Sequence, residues 1–144
     1  MDANKFTQKS LQAVQRAQNY AIEYGNPELT ALHLGLALMD RDGLNYRIVG
    51  RAGADAGGLA GAFKDAVERL PRTSGGSQPY ATPAVNRILN EAEKLASGMK
   101  DEFISVEHLF LCLFDNDERG LKDIFARFGL TKNKFLEGMK QVRG

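Results

Sequence analysis

The residues of this sequence best suited to catalysis or metal binding are two histidines, His33 and His108, and a single cysteine, Cys112. His108 and Cys112 stand four positions apart and would share one face of a helix, a spacing that zinc can use. Two ligands are too few for a zinc site, and Ala37 stands where the first half of the chain would repeat Cys112. We therefore predict that no metal binds here and that both histidines are buried and hydrogen-bonded to the backbone.

Motifs for catalysis are absent from the sequence. It contains no Gly-x-x-x-x-Gly-Lys-Ser/Thr phosphate loop and no Gly-x-Ser-x-Gly nucleophile turn. The two histidines occupy matching places in the two halves of the chain, which favours a shared structural task over a Ser-His-Asp triad. We expect a binding module with no catalytic activity and no cofactor of its own.

Composition and charge narrow the possible partners. The 144 residues suit a single domain, and 43% of them are hydrophobic. Nineteen Lys and Arg against 18 Asp and Glu give a net charge of +1, so there is no basic field for nucleic acid. One cysteine allows no internal disulfide, and no apolar run approaches the roughly 20 residues of a membrane helix. Without a signal peptide pattern at the N-terminus, a cytoplasmic location is expected, with neither nucleic acid nor membrane as a partner.

Proline, glycine and capping residues divide the chain into helix-length segments. Apolar residues recur at the helical period within each segment, and none shows the period-two alternation of a strand. The predicted helices cover about 7–25, 44–52, 56–70, 82–98 and 121–129, with three more that begin at Thr30, Ser105 and Thr131. A polar, flexible connector is predicted at about 71–80. The predicted fold class is all-α.

The second half of the sequence repeats the first. His108 lies 75 positions after His33, each followed by leucine near the start of a buried helix, and Thr82 lies 75 positions after Thr7. We predict two pseudo-symmetric four-helix repeats, at about 6–70 and 81–144, packed as one compact domain. Where two such repeats meet, symmetry leaves grooves at the seams, and an apolar groove rimmed with charges suits a peptide.

Three stretches carry a resemblance to a known family: Phe6-Thr7-Gln8-Lys9, the Arg69-Leu70-Pro71 end of the first repeat, and the run Phe103-Ile104-Ser105-Val106-Glu107-His108-Leu109. Together with the duplication they resemble the Clp N-terminal domain, which heads ring-forming ATPases that unfold or disaggregate proteins. Within that family the chain looks most like the ClpB-type disaggregases.

The resemblance implies a function and three site residues. A domain of this kind engages unfolded or aggregated polypeptide and presents it to the pore of a hexameric ATPase ring, whose ATP-binding modules would lie outside this chain. Thr7, Asp101 and Glu107 match the family positions that matter for handling substrate. The isolated domain is expected to be a monomer.

Two questions stay open at the level of sequence. Leu89 and Leu109 are candidates for the apolar lining of the substrate groove, although either could belong to the core. Docking of adaptor proteins, as in the ClpC and ClpA unfoldases of Clp proteases, is the alternative to direct substrate binding. ClpC-type domains that recognise phosphorylated arginine carry a glutamate before the histidine in each repeat; Leu32 replaces the first of these here, which favours the ClpB reading.

Overall fold

The helices predicted from caps and periodicity are present in the computed structural model, which describes residues 2–73, 76 and 78–143. Within that part of the chain the α-helices are α1 (Gln8–Glu23), α2 (Ala31–Leu38), α3 (Leu44–Arg51), α4 (Ala56–Glu68), α5 (Pro83–Gly98), α6 (Val106–Leu113), α7 (Leu121–Arg127) and α8 (Lys132–Arg143). The prediction of an all-α fold is confirmed. Among the described helices, none has both the length and the apolar character required to cross a bilayer.

Side-chain caps and left-handed glycines set the helix ends as predicted. Thr7 Oγ1 accepts the Ser10 N–H at 3.1 Å at the start of α1, and Thr82 Oγ1 accepts the Val85 N–H at 3.3 Å at the start of α5. Gly25, which follows α1, adopts a φ of +67°, a conformation that a side chain would disfavour. Helix α4 ends at Glu68 rather than at residue 70, just before Pro71.

The two central helices, α2 and α6, form the core. All residues of α2 except Leu36 are buried, as are all residues of α6 except Val106. An aromatic cluster fills the space between α6 and the last two helices. Phe110 stacks on Phe135 with ring centroids 4.6 Å apart. The near-complete apolarity of these two segments therefore has the predicted cause, which is burial on every side.

Short backbone pairs join the two repeats, and the sequence pattern did not predict them. Strand β1 (Glu28–Leu29) runs parallel to β2 (Tyr80–Ala81), and Leu29 pairs with Ala81. Seventy-five positions separate Leu29 from Ile104, which forms the matching isolated bridge with Phe6. Thr82 N–H donates to Leu29 O at 3.1 Å, and Thr7 N–H donates to Ile104 O at 2.9 Å. Each repeat thus lends the segment before its first helix to the other repeat, as expected for a pseudo-two-fold arrangement.

The connector begins as an ordered segment. Thr73 N–H donates to Gly25 O at 2.9 Å, and the Asn26 side chain donates to Pro71 O at 3.0 Å. Its last predicted residue, Tyr80, belongs to strand β2. Residues 74, 75 and 77 of the predicted flexible connector lie outside the described residues.

Candidate functional site: a groove at the seam between the repeats

A groove of about 310 Å³ lies at one seam between the repeats. One wall is the first half of α1, the opposite wall is the start of α6, and the floor is the end of α2 with the first residue of α3. Its lining residues are Thr7, Lys9, Gln12, Ala13, Arg16, Ala37, Leu38, Asp40, Gly43, Leu44, Ser105, Val106 and Glu107. The structure therefore brings two of the predicted site residues, Thr7 and Glu107, to one cavity from opposite halves of the chain.

The groove has an apolar floor and a charged rim. Ala37 and Leu38 are almost fully buried beneath it, whereas Lys9 and Asp40 lie exposed at its edge. Arg16 donates from Nη1 to Ala37 O at 3.1 Å and so satisfies a free carbonyl at the C-terminal end of α2. An apolar floor with a few convergent polar groups is the usual composition of a ligand site.

Thr7 has a structural task in addition to its place in the groove. Its hydroxyl caps α1, and Ser10, which it contacts, is buried and donates from Oγ to Ile104 O at 2.7 Å. The hydroxyl of Thr7 thus belongs to a network that also fixes the segment leading into α6. A substitution at Thr7 would consequently alter the stability of α1 as well as the groove.

Glu107 is almost fully buried at the first turn of α6, with 4% of its surface exposed. Arg143 near the end of α8 donates from Nε to Glu107 Oε2 at 3.0 Å, and its Nη2 lies 3.0 Å from Asp101 Oδ2. Oε1 of Glu107 has no hydrogen-bond partner within the described chain. Arg143 therefore neutralises the Glu107 carboxylate through Oε2, whereas Oε1 lacks a hydrogen-bond donor.

Asp101 lies outside the groove but is linked to Glu107 through Arg143. Its Oδ2 also accepts a hydrogen bond from His108 Nε2 at 2.7 Å. Burial of the carboxyl acts to raise the pKa of Asp101, but hydrogen bonds from His108 and Arg143 outweigh burial and hold that pKa below its usual value. Asp101 and Glu107 thus form one charge cluster with Arg143, of which only Glu107 lines the groove.

Both histidines play the predicted structural part. The Ser105 N–H donates to His108 Nδ1 at 2.9 Å, and the Thr30 N–H donates to His33 Nδ1 at the same distance. Because an N–H can only donate, each Nδ1 is unprotonated, and each ring donates from Nε2, to Asp101 in one repeat and to Asn26 in the other. Burial lowers the pKa of His33 to about 4, so this ring is neutral.

The two apolar site candidates do not line the groove. The side chain of Leu109, on α6, is fully buried in the core and does not line this groove. Leu89 on α5 is half-buried against the core and does not contribute to the groove described above. Helical periodicity placed both residues on an inward-facing stripe, and that stripe is the core itself.

The second seam is built differently at the corresponding place. Glu118 Oε1 accepts the Ala31 N–H at the start of α2 at 2.7 Å and the Thr82 hydroxyl at 3.1 Å. Ala31 is the repeat counterpart of Val106, and Thr82 that of Thr7. The chain thus fills the second seam with its own carboxylate, whereas in the first seam no carboxylate of the described chain is hydrogen-bonded to Val106 N–H.

Metal-binding side chains do not gather around the groove. Within the described ranges, no group of three or more His, Cys, Asp or Glu side chains has a geometry that could hold a metal ion. Cys112 is buried at the end of α6, and burial raises the pKa of its thiol to about 12.

Comparison with known proteins assigns the family. Residues 5–128 match the Clp repeat (R) N-terminal domain family. A chaperone protein ClpB of Nitratidesulfovibrio vulgaris is 36% identical over the whole of this chain, which spans 17% of that relative's length. The crystal structure of the Hsp104 N-terminal domain from Candida albicans superposes with a TM-score of 0.86 at 20% identity, covering 97% of this chain and 92% of that one.

A further solved structure shares the fold and contains a ligand. It is a complex of a ClpV N-domain with a VipB peptide, with a TM-score of 0.73 at 21% identity, covering 95% of this chain and 88% of the other. The curated relatives and the duplicated fold agree with the resemblance read from the sequence. The curated relatives that the chain resembles over its whole length are named as ClpB chaperones, and the chain belongs to the Clp repeat (R) N-terminal domain family.

Proposed function

We propose that this domain binds extended segments of unfolded or aggregated polypeptide in the groove lined by Thr7 and Glu107. The observation that carries the proposal is a buried apolar floor beside the unsatisfied Oε1 of Glu107 and the unpartnered N–H groups of Val106 and Glu107 at one open seam. Extended chains offer alternating backbone donors and acceptors along with apolar side chains, and both kinds of group have partners here.

The domain would act as the substrate-binding part of a longer ATP-dependent disaggregase. Its curated relatives are about six times as long and are named as ClpB chaperones, which supports an AAA+ ATPase with ATP bound outside this chain. Affinity for a single segment would be modest, with Kd of roughly micromolar to millimolar. A hexameric ring carrying six such domains would compensate by avidity.

Docking of an adaptor protein is the second candidate function. It is favoured by the ClpV N-domain complex, in which the same fold holds a VipB peptide. The ClpB names of the curated relatives favour direct substrate binding for this chain.

A titration with an unfolded protein tests the proposal. Reduced, carboxymethylated lysozyme is added to the ¹⁵N-labelled chain, and amide shifts are followed in two-dimensional NMR spectra. Shifts should cluster at the start of α1, around Leu44 and at the start of α6. Gln12→Trp, which adds bulk to the groove at an exposed position, should weaken binding. Gln15→Trp, on α1 but outside the groove lining, is the matched control.

Two results would contradict the proposal. The absence of shifts at millimolar lysozyme would exclude direct binding and leave adaptor docking as the function to test. Equal weakening by both tryptophan variants would place the binding surface elsewhere on α1. Glu107→Ala and Asp101→Ala, with folding checked by the dispersion of the same spectra, separate the groove carboxylate from its neighbour. Only the first should change shifts within the groove itself.

A further inference from the structure

The first turn of α6 presents backbone donors to the groove without a partner. Among the described residues, neither a side chain nor a backbone carbonyl accepts a hydrogen bond from Val106 N–H or Glu107 N–H. These groups carry the positive end of the helix dipole, and Val106 and Glu107 both line the groove. Helix α6 is eight residues long, so the dipole is that of a full two turns.

The second seam of the same chain shows which group binds the N–H donors at such a helix start. In the second seam, Glu118 Oε1 binds the N–H of Ala31, the counterpart of Val106, together with the hydroxyl of Thr82, the counterpart of Thr7. In the first seam, no carboxylate of the described chain is hydrogen-bonded to Val106 N–H, and the Thr7 hydroxyl donates to Ser10 Oγ instead. The two seams therefore differ by one carboxylate, which is present in one and missing from the other.

Glu107 restricts which kind of ligand can occupy the groove beside the first turn of α6. Glu107 lines the groove, and its buried Oε1 lacks a donor in the described structure. A bare anion would leave this oxygen unsatisfied, whereas a peptide brings a backbone N–H beside each carboxylate. Arg143 neutralises Glu107 through Oε2, and Lys9 and Arg16 add positive charge along α1. An acidic position within a polypeptide satisfies both demands.

We propose that the groove seats a carboxylate of the bound polypeptide at the first turn of α6, in the place that Glu118 fills at α2. The inference rests on the proposed function and adds to it a preference for an acidic side chain or for the carboxyl end of a chain. Both sources present the same group to the N–H groups of Val106 and Glu107. The apolar floor would then hold the neighbouring residues of the segment.

Four peptides of one unfolded, valine-rich sequence test the proposal by fluorescence anisotropy with the 144-residue chain. They carry either aspartate or asparagine at the centre, and either a free or an amidated carboxyl end. The peptide that lacks both carboxylates should bind about fivefold more weakly than the best of the others. Weaker binding after aspartate is replaced by asparagine identifies the side chain as the source of the bound carboxylate. Weaker binding after amidation identifies the carboxyl end of the chain instead.

Variants of the chain locate the effect. Val106→Pro removes the N–H at the first helical position, where proline is tolerated, and Ser105 already has the extended backbone that precedes proline, with φ −109° and ψ 174°. This variant should bind all four peptides equally. Val106→Ala loses the side chain but keeps the N–H, so it should retain the fivefold preference.

The outcomes separate the two proposals. Equal binding of the four peptides by the unaltered chain overturns the carboxylate site and leaves polypeptide binding intact. A preference that persists in folded Val106→Pro overturns the assignment to α6. Failure of every peptide to bind overturns both proposals. Should Val106→Pro fail to fold, the peptide series still decides whether a carboxylate is recognised.

Discussion

Arg143 on the last turn of α8 is hydrogen-bonded to Glu107 on the first turn of α6, with Nε 3.0 Å from Oε2. The contact spans 36 positions of the chain and neutralises the most deeply buried carboxylate of the groove. Arg143 also contacts Asp101, so one guanidinium holds two acids in place. The position of the groove wall at α6 therefore depends on a residue at the far end of the second repeat.

Removing that guanidinium should destabilise the domain. Arg143→Met leaves Glu107 buried without a counter-charge, and we expect the free energy of unfolding to fall by about 2 kcal/mol. Urea denaturation followed by circular dichroism measures the change. Lys140→Met on the same helix removes an equal charge from an exposed pair, and it should cost almost nothing.

A double-mutant cycle checks the cause. In a Glu107→Gln background, Arg143→Met should cost clearly less than in the unaltered chain, because the buried charge is already gone. Equal costs in the two backgrounds would show that Arg143 acts through Asp101 or through packing.

Acid should destabilise the domain through His33. Its pKa is lowered to about 4 by burial, against about 6.5 in the unfolded chain. The unfolded state therefore binds more protons between these values, and stability present above pH 6.5 is lost as the pH falls towards 4. The loss should approach about 3 kcal/mol. Urea midpoints across this range measure it.

The His33 effect can be separated from that of Asp101. The pKa of Asp101 is lowered from its usual value, so its contribution is present above about pH 4 and is lost only at more acid pH. The ¹³Cε1 shift of His33 should show a neutral ring at pH 5. Stability that stays constant from pH 6.5 to 5 would contradict the assignment.

Close packing of α3 and α8 should make Gly138 intolerant of a methyl group. A Cβ built there would lie 2.7 Å from Ile48 O and 3.1 Å from Ala52 N, both rigid backbone atoms. We expect Gly138→Ala to cost about 1–3 kcal/mol. Gly61→Ala, on α4 with open space around the added carbon, is the control and should be neutral or stabilising. Thermal unfolding of both variants decides.

Loss of Glu118 should destabilise the closed seam. Glu118→Ala removes the acceptor from the Ala31 N–H and from the buried Thr82 hydroxyl, and we expect a cost of about 1–2 kcal/mol. Glu102→Ala, an exposed glutamate near the start of α6, is the control. Denaturation curves that coincide for Glu118→Ala and the unaltered chain would show that the carboxylate does not stabilise α2.

Local signals made most of the fold predictable. Thr7 and Thr82 could be recognised as caps because capping acts within three residues, and α2 and α6 as buried because their apolarity is visible in eight consecutive residues. Strands β1 and β2 could not be predicted from the sequence, because a strand of two residues is too short to show a periodicity.

The site was predictable only in part. Thr7 and Glu107 were predicted as site residues from the family resemblance, and that they line one groove follows only from the tertiary structure. The hydrogen bond between Ala31 N–H and Glu118 joins residues 87 positions apart, and no local sequence pattern at either residue predicts it. Leu109 shows the opposite difficulty, because periodicity identifies an inward face without distinguishing a core from a groove.

The exchanged backbone pairs, Leu29 with Ala81 and Phe6 with Ile104, have a consequence for the ancestry of the domain. A polypeptide with one repeat could complete these pairs only with a second copy of itself, as an isologous homodimer. In a chain that carries both repeats, the same association is intramolecular. The two seams of such a chain need not be identical. Glu118 seals one of them, and the other is open.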